Sequence, residues 1–475
     1  MAALTQVPVA PLPPQRFRDL LGPRYEEVAE GIRRAQDVFS GRAVWHVNST
    51  ARGGGVAELL QSLLAYARGA GVDARWLVIE GNPDFFKLTK RIHNQLHGSP
   101  GDGGELGKEE RETYEAALGA NAAELAAAVA PGDVVFLHDP QTAGLVAAMR
   151  AAGGRVVWRC HVGIDKPNAL ARNAWEFLRP YVEEAEAWVF SRQAFVWEGL
   201  DAGRVWVVPP SIDAFSPKNQ DLAAPVVAAI LGAAGLSRVD ATEAPTFSRE
   251  DGTPARVDRR AELYEDQPLT QDAKLVTQVS RWDRLKDPAG ILRAFSEHVE
   301  NRDVHLLLAG PSVAAVADDP EGAEVLGEVR EQWTGLELEV RRRVHLAQLP
   351  MEDAEENAAI VNAVQRRSDI VVQKSLAEGF GLTVAEAMWK ARPVIASRVG
   401  GIQDQILDAE SGILVDDPTD LVAFGEAVDR LLRDPQLAAR LGEAARERVR
   451  EEFLGTRQLI QYLNLLDRLV NSPGG

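Results

Sequence analysis

From residue 41 onward, short apolar runs alternate with longer amphipathic stretches, the pattern of βα units wound around a mainly parallel sheet. In the first half, Ala43–Val47, Arg75–Ile79, Val134–His138, Arg155–Cys160, Ala187–Phe190 and Val205–Val208 read as strands, with helices such as Val56–Arg68 and Glu109–Ala128 between them. Pro209 and Pro210 stop that series, because proline fixes φ and removes a backbone donor. A second series follows at Leu275–Val279, Val304–Ala309, Val344–Leu346, Ile370–Gln373, Pro393–Ala396 and Gly412–Val415. Between them, residues 216–271 mix an Ala-rich helix with a charged portion containing Pro and Gly, which reads as a linker plus surface insertion. The expected fold class is α/β, with two Rossmann-like domains facing a central cleft. The expected divisions are an N-terminal extension over 1–40, a first domain over 41–216, a linker and insertion over 217–271 and a second domain over 272–455. A C-terminal helix over 456–475 would cross back to the first domain.

Length agrees, since 475 residues exceed one ordinary core of roughly 100–200 residues. A net charge of −18 argues against a nucleic-acid partner, which would need a basic field, so any anionic ligand must find a local basic site. The single cysteine, Cys160, excludes an internal disulfide framework and reads as a small buried strand residue. Met1 to Gln15 lacks the basic and continuous apolar parts of a signal peptide, and no run reaches the ~20 apolar residues of a membrane span. The expected location is the cytoplasm, with no membrane partner.

Open parallel sheets bind ligands at the carboxyl ends of their strands, so the loops there are the candidates for chemistry. After the first strand, Gly53, Gly54 and Gly55 allow close ligand approach, and the helix that follows offers unpaired N–H groups. That loop lacks the Gly-Lys-Ser/Thr ending of a P-loop. His138-Asp139-Pro140-Gln141 and Arg159-Cys160-His161 follow two later strands and could recognise hydroxyls. In the second half, Arg281 and Lys286 could place two cations on a diphosphate leaving group without a metal, although surface solvation is the bland alternative. Glu378-Gly379-Phe380-Gly381-Leu382-Thr383 then leads into a helix carrying Glu386 one turn inside, so two acids can contact different parts of one extended ligand. Paired acids also suit glycoside hydrolysis, but the basic segment favours transfer.

With these residues in place, the chain resembles the retaining glycosyltransferases of the GT-B fold over nearly its whole length beyond the leader. Their acid-x7-acid segment matches Glu378 through Glu386. The resemblance implies that Glu378 contacts the donor sugar and Glu386 the ribose. It also implies that amides from Gly379 to Thr383 hold sugar or phosphate oxygens, and that Arg281 and Lys286 hold the diphosphate. Within that family, Gly53-Gly54-Gly55-Val56-Ala57-Glu58, His138-Asp139-Pro140-Gln141 and Trp158-Arg159-Cys160-His161 resemble the trehalose glycosyltransferring synthases and the trehalose phosphorylases. This implies glucose as acceptor, held by Gly53, Gly54, Gly55, Glu58, Asp139 and Arg159, with His161 beside the reacting glucose.

The expected substrates are therefore a nucleoside-diphosphate glucose, either ADP-glucose or UDP-glucose, and glucose. A homodimer is the family-based expectation for assembly. No cofactor or protein-bound metal is expected to be required, Mg²⁺ at most accompanying the nucleotide, because no clustered His, Cys or Asp-x-Asp pattern occupies a donor loop. A phosphorylase using phosphate and glucose 1-phosphate, and a silent sugar-nucleotide sensor, remain open alternatives.

Overall fold

The structure is a computed structural model that describes residues 4–51, 55–238, 242–313 and 320–471. It divides into two compact units, Met1–Ser211 with Gly455–Gly475, and Ile212–Leu454.

The first unit is built on β1 (Leu4–Val7), β2 (Ala43–Asn48), β3 (Asp73–Ile79), β4 (Val134–His138), β5 (Arg155–Cys160), β6 (Ala187–Phe190) and β7 (Val205–Val207). Among the described residues these form one seven-stranded sheet in the order β1-β3-β2-β4-β5-β6-β7. Every pairing is parallel except β1 on β3. Alternation sorts the side chains into two cores. Trp45, Val47, Val135 and Leu137 join one cluster, while Val44, Phe136 and Val157 join another with Leu60, Leu64, Tyr462 and Leu463. Those last two residues belong to the C-terminal helix Gly455–Asn471, whose buried stripe closes this face of the first sheet.

The second unit carries a small hairpin of β8 (Thr246–Ser248) and β9 (Pro254–Arg256), followed by β10 (Glu262–Tyr264) and β11 (Lys274–Val279). Then come β12 (Val304–Pro311), β13 (Val344–Leu349), β14 (Ile370–Gln373), β15 (Val394–Ser397) and β16 (Ile413–Val415). Its main sheet runs β10-β13-β12-β11-β14-β15-β16, again parallel except for one edge strand, β10. The structure thus gives two Rossmann-like units.

Two segments differ from the sequence reading. The N-terminal extension supplies edge strand β1 and the helix Tyr25–Val38, whose Val28 and Ala35 are buried. The segment read as linker and insertion lies in the second unit and supplies β10. It is held to the helix Ala354–Arg367 by Arg249 on Asp353 and Glu355 and by Arg259 on Glu356. Among the described residues, no helix is long and apolar enough to cross a membrane.

In each sheet the strand order reverses at one place, between β2 and β4 in the first and between β11 and β14 in the second. Chains leaving the two strands there depart in opposite directions and open a crevice at their carboxyl ends.

Candidate functional site

At the first reversal, β2 and β4 bring His46 and His138 together, and the loop after β5 adds His161. In the sheet register His46 lies level with Phe136, and His138 level with Arg159. The three histidines therefore climb diagonally toward the carboxyl edge. His46 Nδ1 is 3.0 Å from His138 Nε2, and His138 Nδ1 is 3.1 Å from His161 Nε2. Burial pushes His46 down to about 3, and it pushes His138 and His161 far below the ordinary histidine value. Positive charge on Arg159 works in the same direction on the latter two. All three rings are neutral near pH 7.

Asp139 follows β4 with φ of 63°, an uncommon left-handed conformation that turns its carboxylate onto the next strand end. Its Oδ1 accepts from the His161 backbone N–H at 2.7 Å, and its carbonyl accepts from Trp158 Nε1 at 3.1 Å. Burial raises the Asp139 carboxyl to about 7, against the opposing pulls of that hydrogen bond and of Arg159. Arg159 is fully buried, reaching Phe190 O and Ser191 Oγ at 3.5 Å, and its Nε has no hydrogen-bond partner among the described residues. The guanidinium thus sits in the core, where its charge acts on His138 and His161. Cys160 is buried in β5 and its thiol is pushed up by burial. Gly55 begins the helix Gly55–Gly69, and Glu58 is exposed on its first turn. Gly53 and Gly54 lie outside the described residues.

At the second reversal the side chains are charged and paired. A short turn, Arg284–Lys286, follows β11 and ends at Asp287, whose φ is 48°. Asp287 caps the helix Pro288–His298 by accepting from Gly290 N at 3.0 Å. Its other oxygen pairs with Lys374, a cation only 1% exposed at the end of β14. Gln278, on β11, joins both strand ends: its amide donates to Lys286 O at 3.1 Å and accepts from Lys374 N at 3.2 Å. With its backbone so held, Lys286 extends its ammonium to Glu378 Oε2. Ser375 Oγ also donates to Glu378 Oε2, at 3.3 Å.

The loop after Glu378 has little freedom. Gly381 adopts φ of 83° to start the helix Leu382–Trp389, while Gln405 Nε2 donates to the carbonyls of Phe380 and Gly381. A Cβ on Gly400 would fall 1.7 Å from Glu378 O, so only glycine admits this approach. Thr383 Oγ1 donates to Gln373 Oε1 at 3.1 Å. Leu382 is half-buried. Glu386 is 3% exposed, with Oε1 3.6 Å from Lys218 Nζ, and its buried Oε2 has no hydrogen-bond partner among the described residues. A buried carboxylate oxygen left without a hydrogen bond is costly. Arg281 is different: its side chain is 58% exposed and, among the described residues, reaches Asp283 alone, at 3.1 Å.

The structure therefore groups Asp139 with His161, and Lys286 with Glu378, each set within its own unit. Sequence reasoning did not single out His46, Gln278, Lys374 or a role for Asp287. A histidine inside a six-residue buried strand and a lysine closing the apolar run Ile370–Gln373 were the available signals. Among the described residues no group of three or more His, Cys, Asp or Glu could hold a metal ion. The three histidines form a row and do not converge on one point.

Comparison with known proteins places these clusters in context. A family model described as trehalose synthase, N-terminal domain, matches residues 46–197, and one described as glycosyl transferases group 1 matches 260–448. Trehalose synthase from Pyrococcus horikoshii is 36% identical, over 97% of this chain and 96% of that protein. Trehalose phosphorylase from Grifola frondosa is 26% identical, over 85% of this chain and 54% of that protein. An α,α-trehalose-phosphate synthase (UDP-forming) from Burkholderia vietnamiensis has a similar fold, with a TM-score of 0.64, 15% identity and coverage of 91% of this chain and 98% of that one. The two-unit architecture is the GT-B fold.

Proposed function

This chain belongs to the trehalose synthase family and is a hexosyltransferase of trehalose-related glycosyl transfer; from that premise we propose that it moves glucose from ADP-glucose or UDP-glucose to free glucose, with retention, forming α,α-1,1-linked trehalose. The observation that carries the donor assignment is the Lys286–Glu378 pair at the second strand reversal of a chain with net charge −18. A diphosphate there gains a cation and the start of the helix Leu382–Trp389, which has no side-chain cap. As it shares Lys286, Glu378 is released to accept from donor-sugar hydroxyls. The orphan Oε2 of Glu386 then accepts from the ribose. Amides from Gly379 to Thr383 face sugar and phosphate oxygens.

In the first unit, Asp139 and His161 take the acceptor and the reacting glucose, and the family resemblance assigns Gly53, Gly54, Gly55 and Glu58 to the acceptor as well. The bond between the donor anomeric carbon and the β-phosphate oxygen breaks. The acceptor hydroxyl bonds to that carbon from the same face, and its proton passes to the departing phosphate. Lys286, seconded by Arg281, balances the charge that develops on the leaving group. No residue is needed as a covalent nucleophile, and no metal enters the step. Single-turnover transfer should persist in chelator; loss restored only by a divalent ion would overturn that point.

Similarity to phosphorylases favours one rival that could use the same basic pocket with inorganic phosphate. Incubating the protein with trehalose and either ADP, UDP or phosphate separates the readings. A sugar nucleotide formed with a diphosphate supports the synthase. Glucose 1-phosphate formed only with phosphate would replace it with the phosphorylase. Tight nucleotide binding with no product from any acceptor would identify a sensor.

A further inference from the structure

The transfer reading uses His161 but gives no work to His46 and His138, which are 3% and 1% exposed. Their geometry is specific. The ring planes of His46 and His138 differ by 26° and those of His138 and His161 by 19°, with centroids 5.3 and 5.4 Å apart. Together with N···N separations of 3.0 and 3.1 Å, this means edge-to-edge contact with the nitrogen lone pairs near the ring planes, the geometry of N–H···N hydrogen bonds. His46 is held in its plane by stacking on Phe136, 4.6 Å between centroids and 9° between planes. Its end of the row lines an apolar cavity of ≈ 90 Å³ with Val44, Phe136 and Tyr462.

We propose that His46 and His138 are positioning residues for His161, the three imidazoles locking one another into a single shared tautomer, so that the hydrogen-bonding role His161 offers to a sugar hydroxyl is tied to the proton position on His46. Hydrogen counting requires the three tautomers to agree. A neutral imidazole has one N–H and one bare nitrogen. If His138 carries its proton on Nδ1, it donates to His161 Nε2, its own Nε2 must accept from His46 Nδ1, and all three rings are Nδ1–H. If His138 carries it on Nε2, both links reverse and all three rings are Nε2–H. Mixed rows leave one link with two bare nitrogens or two opposed hydrogens, in a place where water cannot relieve the conflict. His161 Nδ1, the nitrogen outside both links, is therefore a donor in one row and an acceptor in the other. Arg159 discourages an imidazolium in the row, and Asp139 fixes the His161 backbone, so the ring has few other influences on its proton.

This rests on the transfer reading only for the use made of His161, and it can be tested without any sugar. Nitrogen-15 NMR of the full chain labelled at histidine, with resonances assigned by single substitutions, distinguishes bare from protonated ring nitrogens. The expected result is one tautomer common to His46, His138 and His161. In His46→Phe, which keeps the stacking on Phe136, the two nitrogens of His161 should move toward averaged positions. His46→Gln, whose amide can either donate to or accept from His138 Nε2, should keep that nitrogen paired and leave His138 and His161 in one common tautomer. In turnover, His46→Phe should lower kcat about tenfold with donor KM unchanged, the scale of one net hydrogen bond. Opposite tautomers within the wild-type row, a charged ring in it, or His161 signals unmoved by His46→Phe would each overturn the proposal. If His46→Phe fails to fold, the wild-type spectrum decides alone. If the row is uniform but no sugar is transferred, the functional reading fails and the row stands.

Discussion

At the carboxyl ends of the first sheet the buried groups are neutral rings joined by directional hydrogen bonds, whereas at the corresponding place in the second sheet they are cations matched to carboxylates. Both arrangements keep polar groups satisfied at a strand reversal, but they fail differently. Removing one ring from the row leaves a neutral partner unsatisfied. Removing one member of a buried ion pair leaves a charge without its counter-charge, and the penalty is larger. The contrast fits the two proposed ligands: a free sugar brings no charge and needs oriented donors and acceptors, while a diphosphate needs cations already in place.

The largest expected effect lies in the ion-pair cluster. Lys374→Met strands Asp287, the residue that both ends the Lys286 turn and caps the next helix. It should cost about 3–5 kcal/mol of stability in urea unfolding, with part recovered in the double variant Lys374→Met/Asp287→Asn. His138→Phe, the matching change in the other cluster, should cost less, about 1–3 kcal/mol. Equal losses would erase the distinction between the two sites.

Next comes Lys286→Ala, expected to depress kcat/KM by about 10²–10³-fold, or roughly 2.7–4 kcal/mol of transition-state stabilisation. A rise in KM with kcat intact at saturation would reduce the lysine to ground-state binding. Arg281→Ala should do less, because that side chain is 58% exposed and its charge is screened by solvent. The two cations looked equivalent in sequence; their burial separates them.

Asp139→Ala should weaken use of the acceptor by about 1.5–3 kcal/mol while nucleotide affinity is unchanged. Acceptor kinetics and nucleotide titrations on the same variant check both halves. The carboxyl has a pH signature too. Its folded value of about 7 lies above the ordinary 3.8, so between these values the folded chain keeps a proton that the unfolded chain releases. This contribution makes stability fall as pH rises through that window and level off above it. Asp139→Asn should remove that component, so the Tm of wild type relative to the variant should decline from about pH 4 to about pH 7. A constant difference would show that the carboxylate is comfortable as a charge.

Most of the architecture was legible because it rests on alternation and punctuation. Val134–His138, Arg155–Cys160, Ala187–Phe190 and Ile370–Gln373 form strands over the bounds that the apolar runs suggest. The Glu378–Glu386 spacing was legible because a glycine turn and a helix start were visible between the acids. Strands β1 and β10 were not, since Leu4–Val7 and Glu262–Tyr264 are too short for a period and are fixed by pairing with distant β3 and β13. The histidine row was hidden for a similar reason: His46, His138 and His161 are far apart in the chain and meet only through the register of three strands. Arg159 reads as a hydroxyl contact from its place near a strand end and from the family motif; in the structure it lies in β5 and is fully buried.

The most direct test of the account is the product formed from glucose labelled at C1 and either ADP-glucose or UDP-glucose, read by carbon and proton NMR. The account predicts one non-reducing disaccharide with both anomeric carbons in the α configuration, one of them labelled, and release of the nucleoside diphosphate. A transferred glucose in the β configuration, a linkage at any acceptor position other than C1, or hydrolysis of the donor to free glucose would contradict it.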